Sequence, residues 1–263
     1  MKKKDFKKQK DFINYTKEHK FDKMCTFLTY PLYEKKLKDT DSNKKVKNIS
    51  SYVELTNETI NSSDYFLEKM QIKNGIVFLG LNEASIGTQI DENHNSFQTM
   101  HKYIRALNEK RNTSKDYAIA KLVHNVKAVE GSFAFDIING IQITHMPELN
   151  SVIKKMNKNK FEIKKNKENF IGLPIKNNNT NNLYKHIKDY DIPIFYKLMR
   201  KLDPKVVICF GNNSNSLANT FNQLCDLNLN IFKMDHYSYT GNAKKYGNED
   251  ERRKNQVINI LNN

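Results

Sequence analysis

Four side chains of three chemical kinds stand at or just past the ends of short apolar runs in this chain: the amides of Asn82 and Asn139, the carboxyl of Asp136 and the imidazole of His236. An amide both donates and accepts hydrogen bonds. A carboxylate only accepts, and an imidazole does either according to its tautomer. Asn82 closes the run that opens at Ile76, Asp136 and Asn139 close the one that opens at Phe133, and His236 follows Ile231 to Met234 after one Asp. If these runs are parallel strands of one sheet, their carboxyl ends meet at one edge. That edge is where open α/β sheets bind ligands. An amide, a carboxyl and an imidazole would then line a single crevice.

The elements that would position them are readable from pattern. Ile76-Val77-Phe78-Leu79 follows the turn signal Asn74-Gly75, is rich in β-favouring residues and is too short for a helix. Gly80 interrupts it and would let a ligand or another backbone approach closely. Residues 205–211 form the strongest strand, and Asn212 to Leu224 reads as the helix that follows it. Helical spacing covers Phe97 to Leu107, Tyr117 to Val129, Tyr184 to Leu202 and Glu249 to Leu261, with Asp203-Pro204 ending the third. Strands separated by helices predict a three-layer α/β fold: a central parallel four-stranded sheet with helices on both faces. Residues 1–70, with Phe12, Tyr15 and His19 at helical spacing, read as a helical N-terminal extension. Residues 71–263 then form the α/β domain. A basic, partly mobile insertion is expected at about 142–183, ending in the Asn-rich run 177–182.

The chain has 263 residues, a formal net charge of +15 and a pI near 9.5. Its length suits one large α/β domain with an appendage. Its charge predicts an acidic partner, nucleic acid first. The three cysteines, Cys25, Cys209 and Cys225, form no C-x-x-C pair and read as free thiols of a cytoplasmic protein. The basic N-terminus has no apolar run behind it, and no stretch of about 18 apolar residues would span a membrane. Neither a G-x-G-x-x-G nor a G-x-x-x-x-G-K-[ST] cradle occurs, which argues against a nucleotide cofactor. No cofactor, no metal site and no membrane partner are expected, and the protein reads as a monomer.

Taken in order, these motifs resemble the uracil-DNA glycosylase superfamily. Phe78-Leu79-Gly80-Leu81-Asn82 is similar to the first motif of its mismatch-specific and single-strand-selective branches, although Glu83-Ala84 stands where Pro-Gly is usual. His236-Tyr237-Ser238-Tyr239 resembles the second motif, His-Pro-Ser-Pro, with both prolines replaced by tyrosine. The strand from Val206 to Gly211 and its helix are similar to the element that precedes that motif. The resemblance covers about residues 75–140 and 184–245.

It implies a monofunctional DNA glycosylase that cleaves the base–sugar bond of a flipped nucleotide in single- or double-stranded DNA. Asn82 would position water beneath the sugar, and His236 would donate to the departing base. Tyr237 and Tyr239 would fill the gap left by the flipped base, Ser238 would grip a phosphate and Phe97 would stack on the base. Two alignments of the second strand remain open: Asp136 or Asn139 reads the base edge. Asp136, which directly follows Phe133-Ala134-Phe135, would accept from the N4 amine of cytosine and repel uracil O4. That predicts a modified cytosine, hydroxymethylated or glucosylated as in phage DNA, and so an anti-phage role. The alternatives are uracil excision in base repair and an inactive nucleic-acid-binding protein of the same fold.

Overall fold

A computed structural model describes residues 3–19, 21–23, 25–29, 75–82, 116–139, 146–158, 180–237 and 249–263. Its centre is a five-stranded sheet: β1 (Cys25–Phe27), β2 (Ile76–Asn82), β3 (Phe133–Ile138), β4 (Val206–Phe210) and β5 (Ile231–Met234), in the order β1-β3-β2-β4-β5. The pairs β3·β2, β2·β4 and β4·β5 are parallel. At the outer edge β1 pairs antiparallel with β3, Cys25 opposite Phe135 and Phe27 opposite Phe133. The parallel four-stranded sheet expected from the sequence is therefore the larger part of a mixed, five-stranded one.

The extra strand corrects the reading of residues 1–70 as wholly helical. Helix α1 (Lys3–Glu18) is present, but Cys25, Thr26 and Phe27 are all buried as a strand that hides the outer side of β3. Three residues are too few to display an alternating pattern, so only tertiary pairing reveals them. Covering an exposed strand edge removes a site for unwanted pairing.

Among the described residues the remaining α-helices are α2 (Asp116–Asn125), α3 (Met146–Lys158), α4 (Thr180–His186), α5 (Ile192–Leu202), α6 (Asn212–Cys225) and α7 (Glu249–Asn262). They divide between the two faces. Phe12 and Ile13 of α1, Leu149, Val152 and Met156 of α3, Phe195 and Leu198 of α5 and Leu217 and Phe221 of α6 pack with Val77, Leu79, Phe133, Phe135, Val207 and Cys209. On the opposite face Ile119, Leu122 and Val123 of α2 and Val257 and Ile260 of α7 pack with Ile76, Phe78, Ala134, Ile208 and Phe210. The alternation of Val77/Leu79 against Ile76/Phe78 is the period-two signature of a strand covered on both sides.

Chain direction explains which helix goes where. From β2 the chain steps to β3 on one side and passes over the α2 face. From β3 it crosses back past β2 to β4 over the other face, and α6 repeats that second sense on the way to β5. Crossovers of one hand that run in opposite directions must lie on opposite faces. The reversal falls between β2 and β4.

The basic stretch 142–183 is not simply a mobile insertion. Within it α3 buries Leu149, Val152, Ile153 and Met156, and α4 buries Leu183. The Asn-rich run lies outside the described residues except for its last three positions, Thr180 to Asn182, which begin α4. The long helix expected over Tyr184 to Leu202 is interrupted by a π-helical turn at Ile187–Asp191 and ends at Asp203, whose φ of 47° is left-handed. Among the described residues no helix is long and apolar enough to cross a membrane.

Candidate functional site

The carboxyl edge of the parallel strands can be laid out by register. Gly80 stands opposite Asp136, Asn82 opposite Ile138, and Phe210 opposite Met234. One step past the Leu79–Cys209 pair, Gly80 and Phe210 complete a row that reads Asp136, Gly80, Phe210, Met234. Asn82 and His236 each stand two residues beyond this row, Asn82 as the last residue of β2. Between them the chain leaves β4 through Gly211 and enters α6. The amino end of α6, the positive end of its dipole, thus opens at the reversal between β2 and β4.

Gly211 is what lets His236 sit here. Its φ of 90° and ψ of 179° belong to a region that L side chains rarely adopt. A Cβ built on it would meet the Cβ of His236 at 3.3 Å. Its N–H donates to Met234 O at 2.8 Å, tying the end of β4 to the end of β5. Ser214 Oγ donates to Phe210 O at 2.7 Å and finishes the turn from the helix side.

Helix α7 holds the 235–237 segment from the other side. The Asp235 N–H donates to Gln256 Oε1 at 3.0 Å, and Gln256 Nε2 donates to Asp235 Oδ2 at 2.9 Å. Arg252 Nη2 lies 2.8 Å from the same Asp235 oxygen. Buried Arg253 donates from Nη2 to Tyr237 O at 3.1 Å and pairs with Glu249 and Asp250. The His236 and Tyr237 rings stack with centroids 4.3 Å apart, and Tyr237 meets Phe210 edge-on. Burial first, and the Arg253 charge second, lower the His236 pKa below its ordinary 6.5. The imidazole is therefore kept neutral, with one ring N–H to donate.

The end of β3 is fastened differently. Asp136 is buried, 8% exposed, at the row that faces Gly80. Asn139 is equally buried, but its groups are engaged: its N–H donates to Asp191 Oδ1 at 3.0 Å, its C=O accepts from His186 Nε2 at 2.7 Å, and its side-chain amide also bonds Asp191. Both partners flank or close the π-turn, and His186 Nε2 lies 3.5 Å from Asp191 Oδ2. Burial raises the Asp191 pKa well above 3.8 and lowers that of His186. The π-turn is the element that brings both side chains to Asn139, as such one-turn bulges often do at sites.

Phe97, Ser238 and Tyr239 lie outside the described residues, as does the loop after Asn82. The structure brings Asp136, Asn139, the end of β2 and His236 with Tyr237 to one edge. Reading by motif placed Gly211 in the strand-Gly-helix element but missed Arg252, Arg253, Gln256, His186 and Asp191. Arg253 and Gln256 carried a usable signal: with Arg252 they are polar positions on a helix whose apolar stripe is Val257 and Ile260. Among the described residues no group of three or more His, Cys, Asp or Glu side chains comes together to hold a metal ion. The three cysteines are buried and none is in a disulfide. Comparisons with protein-family models, with curated proteins and with solved structures found no match.

Proposed function

We propose that this chain is a monofunctional DNA glycosylase of the uracil-DNA glycosylase type, acting on a modified cytosine flipped from DNA. The observation that carries this reading is the seating of His236 over Gly211 at the sheet edge where β2 ends in Asn82; burial and Arg253 lower its pKa, which favours a neutral ring. Hydrolysis of a base–sugar bond forms a C1′–O bond to water, breaks the C1′–N bond and leaves the electron pair on the base. A neutral imidazole donor at the base oxygen O2 stabilises that developing anion without presenting a full positive charge to the pocket. The Asn82 amide holds the attacking water under the sugar. Extruding the nucleotide costs a few kcal/mol, which contacts from Tyr237 and its neighbours would offset.

Asp136, which directly follows Phe133-Ala134-Phe135 and stands opposite Gly80 at the sheet edge, is the base-reading group on this reading. A carboxylate accepts from cytosine N4 and meets uracil O4 acceptor to acceptor. Unmodified cytosine is excluded as a target because its removal would destroy the host genome. Cytosine carrying a hydroxymethyl or glucosyl group, as in phage DNA, fits this logic, and the role is then defence rather than repair.

The test is base release from matched oligonucleotides carrying uracil, 5-hydroxymethylcytosine or its glucosylated form, with abasic sites revealed by alkali. Release from a modified cytosine is expected, and His236→Ala should slow it by about a hundred- to thousandfold, or 3–4 kcal/mol. Asn82→Ala is expected to be comparably impaired. Release of uracil alone would restore the repair reading. Binding without release from any substrate would leave an inactive nucleic-acid-binding protein.

A further inference from the structure

A second basic site lies away from this edge. Between α1 and α5 is an open cleft of about 660 Å³ lined by Tyr15, His19, Tyr196, Lys197, Arg200 and Lys201. The three cations on α5 are spaced i, i+3, i+4 and so share one helix face. Lys201 Nζ sits 5.0 Å over the ring of Tyr15, a cation–π contact that holds it at the cleft wall. The His19 and Tyr15 rings meet at 4.3 Å, tilted by 35°, and His19 Nδ1 lies 3.0 Å from Tyr15 O, which leaves Nε2 as its other polar atom. Burial, with Glu18 adding to it, raises the Tyr15 pKa above 10.0, so its hydroxyl remains a donor. Among the described residues no carboxylate lines the cleft, and neither Arg200 nor Lys201 has one within ion-pair distance.

Helix α5 begins beside Asp191, which is fastened to the carboxyl end of β3, and its 11 residues extend about 16 Å away from there. Its last turn therefore lies toward the opposite, amino-terminal edge of the sheet, just before β4 begins. Cations in a last turn complement the helix dipole. That accounts for their charge sign but not for a cleft walled by hydroxyl and imidazole donors. From Lys197 to Lys201 the helix rises about 6 Å. One strand of a duplex advances about 3.4 Å per phosphate, so this face spans roughly two of them.

We propose that the α1–α5 cleft is a second nucleic-acid contact, gripping two phosphodiesters of a strand through Lys197, Arg200 and Lys201. The site is independent of any base chemistry at the carboxyl edge. It reads no base: it adds affinity and fixes where the strand runs.

The experiment measures binding of an unmodified oligonucleotide to the full chain across a salt series, for wild type, for Arg200→Ala/Lys201→Gln and for Lys197→Gln. Arg200 and Lys201 are exposed and Lys197 is half-buried, and thermal melting checks that the variants fold. The double variant should lower the magnitude of the slope of log K against log salt by about 1.5, and the single by about 0.8, equally for several sequences. An unchanged slope in the double variant overturns the proposal. So does an equal loss of affinity for a polyglutamate peptide, which would assign the cleft to an acidic protein. Because the DNA carries no modified base, failure of the glycosylase reading leaves this outcome untouched.

Discussion

At the scale of single residues, the unusual chemistry is neutrality. His236 is half-buried beside a guanidinium, and both effects disfavour its charged form. Its ring should titrate below 6.5, and Arg253→Gln should move the midpoint upward while burial keeps it from rising freely. Ring proton shifts in a pH series by NMR measure this directly; a midpoint unmoved by the substitution would mean that Arg253 has no field at the imidazole. Asp191 gives a stability prediction of the opposite kind. Its folded pKa lies above the unfolded 3.8, so the folded state holds the proton more tightly. Stability from this group is therefore present below about pH 4 and is lost as pH rises through the raised value. His186 and His236, depressed from 6.5, contribute stability that is present above pH 6.5 and is lost as pH falls toward their folded values. Asp191→Asn keeps an acceptor for the Asn139 N–H but cannot ionise. From pH 4 to pH 8 the histidines should raise the urea midpoint of both proteins, and the loss of the Asp191 contribution should offset that rise in wild type alone. Parallel profiles would show that Asp191 is not the group responsible.

At the scale of elements, the turn from β4 into α6 decides whether the edge is usable. Gly211→Ala combines a backbone region costly for any side chain with a contact of 3.3 Å to His236. A loss of about 1–3 kcal/mol in denaturant unfolding is expected, together with a displaced His236 ring in its NMR spectrum. A loss below about 0.5 kcal/mol, the usual range for a neutral surface change, would mean the turn relaxes. Much of this architecture is legible in the residues. Ile76 to Leu79, Val206 to Phe210 and Ile231 to Met234 are apolar, short and bounded by turn residues, and each is a strand. The parts that are not legible share a cause. Strand β1 and the clamp on Asn139 depend on partners more than a hundred and about fifty positions away, Cys25 on Phe135 and Asn139 on Asp191. The π-turn leaves no pattern of its own, because Ile187 and Ile194 stay in helical phase across it. Gly211 is legible as the glycine of a strand-Gly-helix element, but its dihedral angles and the ring beside it come only from the fold.

At the scale of the whole molecule, a chain of net charge +15 should bind polyanions in a salt-sensitive way. If six or more phosphates are contacted, affinity for DNA should drop by about a thousandfold or more between about 50 and 200 mM salt. Filter binding or anisotropy would measure it, and a nearly flat dependence would argue against a phosphate-led interface. The two-faced packing has a consequence for how opening of the molecule would be followed. All three thiols are hidden: Cys25 on the edge strand, Cys209 in the middle of the sheet, its pKa pushed by burial up to about 12, and Cys225 at the end of α6. A buried, protonated thiol is inert to alkylation until its surroundings part. The chain thus carries three native clocks, one each for the rim, the centre and a flanking helix. Their separate labelling rates would time which part of the fold lets go first.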